Sequence, residues 1–197
     1  MKKLLQIINS GEYEKIEGWC TKEKALKMVE YINDNTKLCV ELGVFGGRSL
    51  LPIAIMCKGD VFGIDAWNSK SSLDGINSKI NDEWWEKIDY NKMKNYTNNL
   101  MKKYECNNVK LLQMESASAI NYFSDESIDF LHQDSNHSEK ISCSEVELYH
   151  NKVKKNGIWV FDDTNWETTI KAQELLVNYG YEEIYNSGTW KIYKRNS

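Results

Sequence analysis

The chain has one proline and three histidines, and only Arg48 and Arg195 among its 25 basic residues are arginines. With Pro52 as its sole proline it contains neither an Asn-Pro-Pro-Tyr nor a Pro-Cys motif, which some enzymes use to modify bases in nucleic acids. The basic residues are outnumbered by 29 acids, giving a net charge of −4. That balance argues against the basic face that a nucleic acid or an anionic membrane demands. Cys20, Cys39, Cys57, Cys106 and Cys143 form no C-x-x-C pair, and their number is odd. Beside apolar neighbours they read as reduced, partly buried small hydrophobes, not as a disulfide framework or a zinc site. Long apolar runs are missing too. MKKLLQIINSGEYEK starts with lysines, but its apolar run is too short for a signal peptide, and no stretch spans a bilayer. A cytoplasmic protein without a membrane partner is expected.

What is present is a globular composition, 41% hydrophobic and 27% charged over 197 residues. Residues 1–197 are expected to form a single domain, with an N-terminal helical segment (1–36) and a core (37–197). Residues 2–9 have an amphipathic helical pattern. Thr21 is the expected N-cap of a second helix running to about Asn33. From residue 38 strands and helices alternate, with strands expected at Leu38–Leu42, Val61–Ala66, Val109–Met114, Ser127–Asp134 and Ile158–Asp162. Helices are expected at Ser49–Cys57, over most of Glu83–Tyr104, and at Ser116–Phe123, Ser138–Val153 and Thr168–Tyr179. Asn156–Gly157 is taken as the stop after the Ser138 helix, and 67–82 as polar and irregular. Tyr181–Tyr185 and Thr189–Tyr193, split by Asn186–Ser187–Gly188, predict an antiparallel hairpin. The alternation predicts a parallel sheet covered on both faces.

The organising stretch is LCVELGVFGGRSL at residues 38–50. It predicts a strand, a tight glycine turn and a helix, with Pro52 in the first helical turn where a missing N–H does no harm. Free N–H groups of the helix beside the Glu41 carboxylate suit a ligand with both a cationic and an anionic group. Asp65 ends the second strand at about the ~20-residue spacing expected of an acid that holds ribose hydroxyls. Glu41, Asp65, Glu115, Asp134 and the Asp162–Asp163 pair all fall at strand ends, where like charges repel and stability alone explains them poorly. The spacing G-x-x-G-G is neither the G-x-G-x-x-G of nicotinamide enzymes nor a phosphate-binding P-loop.

VELGVFGGRS, then VFGIDAW, SIDFLHQDSNHS and GIWVFDDTNW, resemble in this order the class I S-adenosylmethionine-dependent methyltransferases. The resemblance is closest to the group related to macrocin-type sugar O-methyltransferases. It implies an α/β, Rossmann-like three-layer sandwich with a mostly parallel seven-stranded sheet, an antiparallel last strand and short N-terminal helices. By that resemblance Glu41, Gly43 and Gly46 surround the amino-acid end of S-adenosyl-L-methionine. Asp65 takes both ribose hydroxyls, Ala66 and Trp67 lie beside the adenine, and Glu115 and Ser116 meet its edge. Asp134 stands at the cofactor and in the catalytic group. Asp134, Asp162 and Asp163 correspond to acids that in relatives bind a divalent metal such as Mg²⁺, and hard oxygen ligands suit such an ion. Adjacent Asp162 and Asp163 reach one ion only if the strand ends between them.

His137, in the loop after strand four, is the candidate general base for a substrate hydroxyl, since neutral imidazole suits that role near pH 7. Its alternative is a loop histidine bound to backbone. His132 is expected to pack inside the sheet. Gln133 and Ser135 depart from the family, which more often has an aliphatic residue and Gly or Ala there. Of the adjacent Trp84 and Trp85, one is expected to pack and the other to line a substrate pocket, with Trp166 a second wall candidate. The expected function is O-methylation of a small-molecule hydroxyl, a sugar or polyhydroxylated metabolite, with metal assistance. The alternatives are a catechol-type or nucleic-acid methyltransferase, and a cofactor-binding protein without methyl transfer. The N-terminal helices are candidates for a homodimer contact.

Overall fold

A computed structural model describes residues 1–76 and 78–196. Residue 77, within the stretch read as irregular, and residue 197, at the end of the expected domain, lie outside the described residues. The strands are β1 (Leu38–Leu42), β2 (Asp60–Asp65), β3 (Val109–Gln113), β4 (Ile128–Gln133), β5 (Val153–Phe161), β6 (Tyr181–Asn186) and β7 (Lys191–Arg195). They form one sheet in the order β3-β2-β1-β4-β5-β7-β6. β1 to β5 are parallel, and β7 lies antiparallel between β5 and β6. The expected sheet, with its antiparallel last strand, is therefore the observed one.

Alternate residues of these strands feed two cores, as period-2 side-chain alternation requires. Cys39, Val61, Phe130 and Val160 pack on the face carrying the N-terminal helices, and Val40, Leu42, Ile64, Leu131 and Phe161 on the other. On the first face lie α1 (Lys2–Asn9), α2 (Lys22–Val29) and α3 (Leu50–Met56). Thr21 caps α2, its side chain accepting from the Lys24 N–H. The apolar faces of α1 and α2 are buried within this same chain, through Leu4, Ile7, Ala25 and Met28. No helix among the described residues is long and apolar enough to cross a membrane.

Four elements differ from expectation, each for a local reason. α2 ends at Val29 rather than near Asn33, where Thr36 and Asn33 close a turn by side-chain bonds. The irregular stretch contains a short helix, α4 (Ser69–Ser72), capped by Asn68. The expected Glu83–Tyr104 helix is two, α5 (Lys79–Trp85) and α6 (Tyr90–Lys103), because the Asp89 side chain caps the second through the Lys92 N–H. Asn156–Gly157 does not stop the helix α8 (Glu139–Tyr149), which follows the short α7 (Ser116–Ala119). The pair lies inside β5, where Asn156 has φ 62° and the β4–β5 register shifts. Gly and Asn serve a bulge as readily as a helix end. The last helix is α9 (Ile170–Asn178).

Candidate functional site

β1 has β2 on one side and β4 on the other, so the sheet's order reverses there, and a crevice opens at the strands' carboxyl ends. A cavity of about 910 Å³ fills it, lined by the glycine turn, Asp65–Trp67, Glu115–Ser116, Asp134–His137, Asp162–Asp163 and residues of α2, α4 and α5.

At the β1–β2 end the backbone is tightly held. Gly43 has φ +83°, and a Cβ there would collide with the Asp134 carbonyl, so only glycine lets β1 and β4 approach this closely. Asp65 Oδ2 accepts from the N–H groups of Val44 (3.0 Å) and Phe45 (2.8 Å), and Oδ1 from that of Trp67 (2.7 Å). Burial nevertheless outweighs these bonds and raises the Asp65 carboxyl above its ordinary value. The Trp67 indole N–H and the Thr97 hydroxyl both donate to the Phe45 carbonyl. Trp67 is buried and thereby fixes the turn as well as lining the cavity.

A carboxylate offers about four acceptor positions, and backbone takes three of those on Asp65. One remains, on Oδ1. Glu41 and Gly46 do not line the cavity. Glu41 is wholly buried beneath the turn and accepts from the Ser49 hydroxyl at 2.6 Å, so it reaches a ligand only through Ser49. Gly46 faces the N-terminal segment, where a Cβ would lie 2.5 Å from Glu17. Gly43, Ala66, Glu115 and Ser116 line the cavity, and Glu115 accepts from the Ser71 hydroxyl at 3.0 Å.

At the β4–β5 end side chains hold one another. β5 ends at Phe161, and Asp163 has φ 48°, which separates the directions of the two adjacent acids. Asp162 pairs with the ammonium of Lys24 from α2. Asp163 Oδ2 lies 2.8 Å from His137 Nε2, and Asp134 Oδ1 lies 3.8 Å from that same nitrogen. The His137 ring meets Trp166 edge-on at 5.2 Å. Burial and then the neighbouring Asp162 push the Asp134 carboxyl well up, against the pull of Lys24. Burial works against the Asp162 carboxylate too, but Lys24, with help from His132 and a hydrogen bond from Asp134, outweighs it and holds that group down to about 2.

Ligand atoms gather as two groups, His132–Asp134–Asp162 and Asp134–His137–Asp163, so the three acids expected to hold a metal do not converge on one point. Lys24 already stands at Asp162 in the first group, whereas in the second His137 is itself one of the three ligand residues. The first group therefore does not fit a divalent ion while Lys24 is in place. His132 is wholly buried, its Nδ1 3.6 Å from Glu41 Oε2, and both ring nitrogens lack a hydrogen-bond partner.

Several site residues escaped the sequence reading. Glu145 of α8 accepts from the Gln133 amide (2.9 Å) and the Ser135 hydroxyl (2.7 Å), which accounts for the two departures from the family. The Asn136 amide reaches the carbonyls of Ser71, Ser72 and Asp74 and ties α4 to the loop after β4. Trp84 and Trp85 do not divide their tasks: they touch each other at 4.7 Å, both touch Phe45 and Trp19, and both line the cavity. Lys24 left a faint signal, since it lies one helical turn before Met28 on the buried stripe of α2.

This sheet, with a glycine turn at the switch point and an acid closing β2, is the architecture of class I S-adenosylmethionine-dependent methyltransferases. The chain belongs to a family defined by a methyltransferase domain, whose model matches residues 40–164. No curated protein matches it in sequence. Solved structures share the fold at low identity. The O-methyltransferase NovP is 13% identical with a TM-score of 0.67, covering 89% of this chain and 79% of its own. Precorrin-6y C5,15-methyltransferase from Geobacter metallireducens is 12% identical with a TM-score of 0.67, covering 93% and 94%. An rRNA methylase from Streptococcus thermophilus is 9% identical with a TM-score of 0.62, covering 91% and 100%. Their differing activities mean that the shared fold does not name the methyl acceptor.

Proposed function

We propose that this methyltransferase transfers a methyl group to a hydroxyl of a small molecule, a sugar or other polyhydroxylated metabolite. The observation that carries the reading is His137, whose Nε2 lies between Asp163 (2.8 Å) and Asp134 (3.8 Å) on the wall of the cavity that begins at the glycine turn. A neutral His137 that donates its Nε2–H to Asp163 keeps Nδ1 to accept a proton, and the facing Asp163 carboxylate stabilises the resulting charge, as a general base requires. The cavity, about 910 Å³, is of the size that encloses small ligands rather than a polymer. The net charge of −4 and the acids at its wall oppose a nucleic-acid acceptor.

S-adenosylmethionine fits the residues at the other end. Asp65 Oδ1 retains one acceptor position for a ribose hydroxyl, and Glu115 and Ser116 stand near for the adenine. Ser49, backed by Glu41, faces the amino-acid end beside Gly43. When bound, the cofactor supplies a methyl group on a sulfonium whose sulfur takes back the bonding electron pair. With the cofactor in place, His137 would take the proton from the acceptor hydroxyl. Asp134 and Asp163 orient the imidazole and balance its new charge. The ring cluster of Trp19, Phe45, Trp84 and Trp85 gives the cavity an apolar wall. That cluster also favours a second reading, an aromatic catechol-like acceptor lying against those rings.

Release of S-adenosylhomocysteine, measured against a panel of sugars, sugar nucleotides and catechols, tests both readings. Turnover with a hydroxylated sugar, lost in His137→Ala, supports the first. Turnover confined to catechols supports the second, and turnover confined to RNA or DNA refutes both.

A further inference from the structure

We propose that the ammonium of Lys24 occupies the position a divalent cation would need at Asp162, so that no such ion bridges Asp134 and Asp162 in this methyltransferase. The inference rests on the reading that the acceptor binds at the β4–β5 end.

Lys24 is 4% exposed, which is rare for a lysine and demands a partner. Its partner is Asp162, 138 residues away in sequence and itself 13% exposed. The ammonium also lies 6.0 Å from the centre of the Trp190 ring. It therefore stands in a closed setting, walled by an acid and an aromatic face, and lines the same cavity as Asp134 and His137. A divalent ion placed at these acids would meet a buried positive charge at contact range, so ion and ammonium exclude each other.

Asp163, the third acid a metal would use, faces His137 instead. The five acids and bases of this end are thus grouped as Lys24–Asp162 and His137–Asp163, with Asp134 between them. Lys24 lies outside the stretch that matches the family model, 40–164, and is contributed by the N-terminal segment. Its role is that of a positioning residue. It fixes Asp162, offsets the charge of Asp134, and leaves the proton transfer to His137.

The test needs no acceptor. Mn²⁺ is titrated by electron paramagnetic resonance into wild type, Lys24→Met and Lys24→Met/Asp162→Asn, with S-adenosylhomocysteine binding measured by calorimetry on the same samples. The wild type is expected to take up no Mn²⁺ at these acids up to about 1 mM. Lys24→Met is expected to bind it at least about tenfold more tightly, and Asp162→Asn in that background to remove the gain. Tight Mn²⁺ binding by the wild type, lost in Asp162→Asn, overturns the proposal, and so does a folded Lys24→Met that gains none. If Lys24→Met does not fold, Lys24→Gln replaces it, with the same gain expected and its absence overturning the proposal. Failure of the wild type to bind S-adenosylhomocysteine counts against the functional reading instead, because the Mn²⁺ result does not depend on it.

Discussion

At the β1–β2 end of the cavity Asp65 is held by backbone N–H groups, whereas at the β4–β5 end Asp162 and Asp163 are held by Lys24 and His137. The first arrangement follows from a short stretch of chain, since all its partners lie within about one strand–turn–helix unit. The second joins α2 to the loop after β5 and depends on the whole fold. The first suits a cofactor that many acceptors share, because its groups do not move as chemistry proceeds. The second, on the function proposed above, would carry the charges that change as a hydroxyl loses its proton.

If the difference is real, removing a group at each end has different consequences. Asp65→Ala leaves the N–H groups of Val44, Phe45 and Trp67 without their acceptor, and each such donor costs about 1–3 kcal/mol. We expect cofactor binding to be lost and the unfolding free energy in urea to fall by about 3 kcal/mol. Normal stability and affinity would erase the distinction between the two ends. His137→Ala, by contrast, should lower kcat about 100-fold while leaving S-adenosylhomocysteine affinity within about twofold. Calorimetry and steady-state kinetics separate these, and an equal loss of both would make His137 part of the cofactor site.

The acid end should also show its own pH dependence. Asp162 is held down to about 2 by Lys24, so its contribution is present above its unfolded value and is lost as pH falls toward 2. Asp134 is raised, so its contribution has the opposite sign and is lost as pH rises through its folded value. The stability difference between wild type and Asp162→Asn should shrink by about 2 kcal/mol between about pH 5 and about pH 2. A difference independent of pH would mean that Lys24 does not hold Asp162. The smallest effect belongs to Gly46→Ala, whose Cβ would meet Glu17 at 2.5 Å outside the cavity. A loss of about 1–3 kcal/mol in thermal or urea unfolding, with cofactor affinity little changed, is expected there.

The same contrast explains what was legible in the sequence. The sheet, the glycine turn and Asp65 announce themselves because hydrophobic alternation and glycine spacing are local signals. Asp65's remaining capacity was not legible, because two of the three backbone donors that fill it come from the turn about 20 residues earlier. The same limit hid Lys24–Asp162, and likewise Glu145, whose partners Gln133 and Ser135 looked only like departures from a pattern. Asn156–Gly157 was misread for another reason: one dipeptide serves both a helix end and a bulge, and only the β4–β5 register decides between them.

The most direct test of the account is calorimetric titration of the purified protein with S-adenosylmethionine and, separately, with NAD⁺. The account predicts binding of S-adenosylmethionine with a Kd on the order of micromolar and none of NAD⁺. No binding of S-adenosylmethionine, or a preference for NAD⁺, would contradict it and would mean that the cavity beside Asp65 has been misassigned.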